Sequence, residues 1–224
     1  MDLELRDKLD RVFNSIEDAR KRVSRHHIVK IVAVTKYSNE EMVRKLYEIG
    51  QRAFGENKVQ DLEVKSRNLN ELPLEWHFIG SLQKNKINKL ISLKPALFQS
   101  LTSIDLAKNL NERLEKNSQK MNALLQINSS QEIQKEGISP EQVIDSYQEI
   151  QESFPNINLK GIMAMGVHSS NSDEVRKSFQ NGYKIFESLQ KDGAKICSMG
   201  MSGDFELAIS EGANMVRLGS ILVK

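Results

Sequence analysis

Short apolar runs rich in β-branched residues alternate with amphipathic stretches eight times along this chain. A near-continuous apolar run is the mark of a strand covered on both faces, as in parallel sheets. Residues 30–36 (Lys-Ile-Val-Ala-Val-Thr-Lys) form the first such run. Ser38-Asn39-Glu40-Glu41 then reads as a capping box, and Met42, Val43, Leu46 and Ile49 give a helical stripe closed by Gly50. The pattern returns at residues 52–56, 76–80, 96–101, 123–128, 161–166, 195–199 and 215–219, all but the last followed by a helical stretch. Eight strand–helix units predict one TIM-type (β/α)8 barrel domain over residues 1–224. An open doubly wound sheet is the alternative, and it offers no reason for eight. Before the first run, Leu5, Leu9, Val12, Phe13, Ile16, Ala19 and Val23 predict an extra N-terminal helix packed outside the barrel. The last strand has almost no helix after it.

Composition narrows the function classes. The net charge is only +2, too slight for a phosphate-backbone binder, so no nucleic-acid partner is expected. No apolar run approaches the roughly 20 residues of a membrane span, and the charged N-terminus lacks a signal-peptide core. The single cysteine, Cys197, excludes an internal disulfide and a multi-cysteine metal site. A cytoplasmic location without a membrane partner is expected.

Barrels of this kind bind ligands at the C-terminal ends of their strands. Those ends offer two unusual features. Lys36 closes an otherwise apolar strand, where a desolvated amine can condense with an aldehyde; a solvated rim lysine is the plain alternative. Ser198-Met199-Gly200-Met201-Ser202-Gly203-Asp204 and Arg217-Leu218-Gly219-Ser220 fall at the seventh and eighth loops, a frequent phosphate site. Ser202 is expected where a helix begins, its hydroxyl and the following amides facing an anion, with Arg217 as a fixed cation. The structural alternative is that the glycines mark turns, Ser202 caps a helix and Arg217 pairs with a barrel glutamate. An amine beside a phosphate site suits a phosphorylated aldehyde, of which pyridoxal 5'-phosphate (PLP) is the common one.

The chain resembles the PLP homeostasis protein family, small PLP-binding proteins related to the alanine racemase barrel, a fold type III architecture. The resemblance rests on Val32-Ala33-Val34-Thr35-Lys36, Phe54-Gly55-Glu56-Asn57, Trp76 through Lys86, Lys135-Glu136-Gly137-Ile138, Ser198 through Ser202, and Val216-Arg217-Leu218-Gly219-Ser220, in that order. It implies that Lys36 carries PLP as a Schiff base and that Ser202, Gly219 and Ser220 hold the phosphate. It also implies that Arg217 and Asn57 lie against the cofactor; whether Arg217 meets the pyridine nitrogen or the phosphate stays open. Met201, beside Ser202, is a further candidate contact. An arginine at the pyridine nitrogen would disfavour its protonation and mute carbanion chemistry. The sequence ends at Lys224, so the second, β-rich racemase domain with its tyrosine base is expected to be lacking. The resemblance therefore implies a carrier or regulator of PLP supply without catalysis of its own, a monomer with PLP-dependent apoenzymes as possible recipients. A minimal amino-acid racemase-like enzyme and a Schiff-base aldolase of sugar phosphates are the competing readings. The chain departs from the family in His168 near the sixth strand end and in Ile221-Leu222-Val223-Lys224 after the last.

The remaining reactive residues have plainer readings. His77 reads as a hydrogen-bonded core or rim histidine, and His26 and His27 as a solvated helix terminus. Four histidines without acidic residues at ligand spacing make a metal site improbable. Met163, Met165 and Met199 read as barrel filling, Cys197 as a buried small hydrophobe, and Lys84, Lys86 and Lys89 as a solvated helix face.

Overall fold

A computed structural model describes residues 2–128, 136–167 and 169–223. Its eight strands are β1 (Lys30–Val34), β2 (Ala53–Glu56), β3 (Glu75–Phe78), β4 (Leu97–Leu101), β5 (Met121–Ile127), β6 (Ile157–Ala164), β7 (Ile196–Ser198) and β8 (Met215–Leu218). All pair in parallel with their sequence neighbours, and β8 returns to β1, so the sheet closes. The helices are α1 (Leu3–Lys21), α2 (Glu40–Glu48), α3 (Val59–Asn68), α4 (Ile87–Leu93), α5 (Ile104–Lys116), α6 (Val143–Ser153), α7 (Ser172–Leu189), α8 (Phe205–Ser210) and α9 (Ser220–Val223). This is the (β/α)8 barrel that the eightfold alternation predicts, with α1 as the extra helix.

The period of two along each strand sorts the side chains. Val32, Ala53, Leu97, Leu124, Met163 and Met215 form a cluster inside the barrel. Ala33, Phe54, Phe78, Phe98 and Leu125 face outward, into the shell packed under the helices. Both faces are buried, which is why the strands read as continuous apolar runs. Met199 belongs to the outer shell, so it fills space outside the barrel and not within it.

Along α1, Leu5, Leu9, Val12, Ile16 and Ala19 are buried; Phe13 is exposed because it falls off this three-four stripe, and Val23 because the helix ends at Lys21, before it. The buried face packs on α8 and α9. The cap of α2 is Asn39, whose side chain accepts from the Met42 N–H at 3.1 Å, one residue later than the expected Ser38 box. Among the described residues no helix is long and apolar enough to cross a membrane.

Candidate functional site

The seam between β1 and β8 brings the two ends of the chain's chemistry together. Val32 pairs with Arg217 and Ala33 with Leu218. A Cβ placed on Gly219 would lie 3.6 Å from the Val34 Cβ, so the chain leaving β8 still runs beside the end of β1. Lys36 and the Gly219–Ser220 turn therefore leave neighbouring strands at the same barrel mouth.

Lys36 does not end a strand as expected. β1 stops at Val34, and residues 35–37 turn, with the Ser38 N–H donating to the Thr35 carbonyl at 2.8 Å. Lys36 is half-buried, and its Nζ lies 5.1 Å from the centre of the Tyr37 ring. The residue before it is held from behind. Lys65 on α3 donates through Nζ to the Thr35 carbonyl and to Glu56 Oε1, both at 2.7 Å, and Thr35 Oγ1 donates to the same Glu56 oxygen at 2.6 Å. Burial pushes the Glu56 carboxyl above its ordinary value, against the pull of the Lys65 and Thr35 hydrogen bonds. All three side chains are buried.

Arg217 points into the barrel, because Met215 two residues earlier is in the inner cluster. Its Nη1 donates to the Ser198 carbonyl at 2.9 Å and to Ser198 Oγ at 2.7 Å, and its Nη2 donates to the Ala164 carbonyl at 3.1 Å. None of these partners is a carboxylate, so the pairing with a barrel glutamate does not occur among the described residues. A guanidinium has five N–H donors, and these bonds use three. Burial lowers the Arg217 pKa to about 10, with Asp204 the main group opposing the shift. A buried cation without an ion-pair partner has donors available for an anion or a ring nitrogen.

Ser202 does not begin a helix of its own loop. α8 starts at Phe205, and the Ser202 hydroxyl instead accepts from the Gly219 N–H at 3.1 Å and the Ile221 N–H at 3.4 Å. It thus joins the β7 loop to the first turn of α9, where two backbone donors converge on one oxygen, a cradle suited to a phosphate oxygen. Ser220 lies between those amides and is exposed. Gly200 shapes the approach. It has φ +92°, a Cβ there would meet Ala208 Cβ at 2.7 Å, and its carbonyl accepts from the Arg217 N–H at 3.0 Å. Met201 is exposed, and its N–H donates to Asp204 Oδ1 at 2.6 Å. Burial raises the Asp204 pKa, opposed by the Met201 N–H and by Arg217. A cavity of about 680 Å³ opens beside this loop, lined by Val167, Met201, Ser202, Asp204 and Ile221 among others.

Asn57 lies just past β2. Its Oδ1 is buried and has no hydrogen-bond partner, a polar atom that a ligand could satisfy. Gly80 holds the neighbouring loop against it, since a Cβ at Gly80 would sit 1.9 Å from the Asn57 carbonyl oxygen. The buried cation, the paired amides and this lone acceptor fit a small anionic ligand.

His77 is fully buried inside the barrel and doubly hydrogen-bonded, to Glu75 and Gln99 at 2.8 Å each. His27 is tied to the Ala213 carbonyl at 2.9 Å and is not simply solvated. Lys84 and Lys89 pair with Asp105 and Glu63. Cys197 is buried, and burial pushes its thiol pKa up. His168 and Lys135 lie outside the described residues. No group of three or more metal-ligating side chains occurs among the described residues. Reading strand ends alone misses Gln99 and Lys65 and, although Ser198 and Glu56 fall within motifs that carry the resemblance, assigns these two no role. All four are polar residues within apolar or helical stretches, and an interior polar residue on a barrel strand is the signal that marks Gln99 and Ser198.

Fold and site together define a barrel of the alanine racemase N-terminal domain class, and the family model of that description matches residues 8–224. Within this class the chain belongs to the pyridoxal phosphate homeostasis proteins. It is 50% identical over 222 residues to the pyridoxal phosphate homeostasis protein of Helicobacter pylori (strain ATCC 700392 / 26695), covering 99% of each chain. Among solved structures it is similar to an unknown protein from Bifidobacterium adolescentis, with TM-score 0.90, 30% identity, and 98% and 94% of the two chains covered. It is also similar to PipY of Synechococcus elongatus PCC7942 with PLP bound, with TM-score 0.79, 27% identity, and 92% and 100% covered.

Proposed function

We propose that this protein binds PLP at the β1–β8 mouth and holds it as a Schiff base on Lys36, acting in PLP homeostasis as a carrier or regulator without a reaction of its own. The observation that carries this reading is the pairing of β1 with β8, Val32 with Arg217 and Ala33 with Leu218, so that the turn with Lys36 and the Ser202–Gly219 contact follow neighbouring strands. Names of relatives support it: the Helicobacter pylori protein is named for PLP homeostasis, and PipY has a structure with PLP bound.

PLP held here would supply an aldehyde with which the Lys36 amine would condense, releasing one water. The chain's own residues do the rest. Ser202 Oγ with the Gly219 and Ile221 N–H groups, and Ser220 beside them, binds the phosphate. Arg217 presents fixed positive charge from inside the barrel, and Asn57 offers its buried acceptor. Met201, exposed in the cavity beside Ser202, is a further contact. The Lys65–Glu56 pair clamps the carbonyl preceding Lys36 and so limits how far the amine can wander.

Borohydride reduction of PLP-treated protein followed by peptide mapping tests the reading. The expected result is one PLP-modified peptide containing Lys36, absent in Lys36→Ala. Wild-type protein that yields no modified peptide, or one modified elsewhere, would overturn it. Incubating the same holoprotein with amino acids in deuterium oxide separates carrier from racemase, with no α-proton exchange expected.

A further inference from the structure

A line of polar side chains that the cofactor reading does not use leads through the barrel interior to Arg217. It starts at the N-terminal mouth, where a cavity of about 350 Å³ is lined by Lys30, Glu75 and His77 among others. Lys30 Nζ donates to Glu75 Oε1. His77 Nε2 meets the same oxygen at 2.8 Å, and Gln99 Nε2 meets His77 Nδ1 at 2.8 Å. Ser198 Oγ then donates to Gln99 Oε1 at 2.7 Å, and Arg217 Nη1 donates to Ser198 Oγ at 2.7 Å. His77, Gln99, Ser198 and Arg217 are all buried. The line runs through β3, β4, β7 and β8, and the step from Gln99 to Ser198 crosses the barrel interior.

Each member dictates the direction of the next. The Glu75 carboxylate only accepts, so His77 donates from Nε2, and in the neutral ring this leaves Nδ1 as an acceptor. That requires the Gln99 amide nitrogen to face His77 and its oxygen to face Ser198. The Ser198 proton is then committed to Gln99, and its lone pairs turn to Arg217. Reversing any one bond leaves a buried donor against a donor, or an acceptor against an acceptor, which is costly in a dry interior.

We infer that Gln99 and Ser198, ordered by Glu75 and His77, are positioning residues for Arg217, holding its guanidinium in the rotamer that faces the cofactor site. This rests on the PLP reading for its consequence, since Arg217 is the cation that the cofactor would meet. It does not rest on it for the geometry.

Three variants test the line: Ser198→Ala, Gln99→Leu and the conservative Ser198→Thr. In apoprotein labelled with ¹⁵N-arginine, wild type is expected to show separate Arg217 Nη resonances, the mark of slowed rotation in a hydrogen-bonded guanidinium. Ser198→Ala and Gln99→Leu should average them, and Ser198→Thr should keep them apart. PLP titration should show about tenfold weaker binding in the first two variants and near wild-type binding in the third. Gln99 does not touch Arg217, so a Gln99→Leu protein that folds with unchanged Arg217 resonances and PLP affinity would overturn the inference. Should Gln99→Leu fail to fold, Ser198→Ala decides: unchanged resonances and affinity there overturn it equally. A wild type that forms no Lys36 adduct would overturn the cofactor reading alone, and the apoprotein resonances would still decide the relay.

Discussion

A single arginine shows how binding and stability divide in this protein. Arg217 is buried, its hydrogen bonds go to neutral oxygens, and burial draws its pKa down to about 10. A buried charge in a structural ion pair typically costs about 3–5 kcal/mol when its partner is truncated. Arg217 has no such partner among the described residues. Replacing it relieves charge burial but leaves the Ser198 and Ala164 carbonyls short of a donor, and the two effects oppose each other. Arg217→Met is therefore expected to change apoprotein stability by less than about 1 kcal/mol in urea melts while losing PLP on gel filtration. Large destabilisation with PLP retained would mean that the guanidinium serves the fold.

At the scale of elements, the turn after β1 depends on α3. Lys65 reaches from that helix to the Thr35 carbonyl and Glu56, and Glu56 Oε2 is buried without a partner. Removing Lys65 leaves a carboxylate with one neutral hydrogen bond in a dry site. Lys65→Met is expected to cost about 3–5 kcal/mol by chemical denaturation. Adding Glu56→Gln should recover a good part of that loss, a coupling that a double-mutant cycle measures directly. Additive effects of the two substitutions would show that the pair does not act as a unit. The same turn carries Lys36, so Lys65→Met should also slow formation of the PLP adduct.

Across the whole molecule, stability also depends on the mouth where the strands start, opposite the candidate site. Glu75, at the starting mouth, has its pKa lowered to about 2, first by the His77 hydrogen bond and then by Lys30. A carboxyl whose folded pKa lies below its unfolded one contributes stability above about 4.5, and that contribution fades as pH falls toward about 2. The wild-type urea midpoint should therefore drop across this window more steeply than that of Glu75→Gln. Parallel pH profiles for the two proteins would show that Glu75 carries none of the acid limb.

Alternation of apolar runs and helical stripes determined the barrel by itself, because strands covered on both faces and helices covered on one leave distinct periods in the chain. That Lys36, Arg217 and Gly219–Ser220 fall near one mouth was legible for a related reason, because strand ends there are few and charged or glycine-rich residues stand out; that β1 stops two residues before Lys36 was not. The partner of Ser202 was not legible, because only closure of β8 against β1 places the Gly219 and Ile221 amides within reach of its hydroxyl. Nor was the line from Glu75 to Arg217, whose neighbours in space lie up to 99 positions apart in sequence. Hydrogen bonds between strands that face each other across a barrel depend on its closure and stagger, and no local pattern along one strand encodes them.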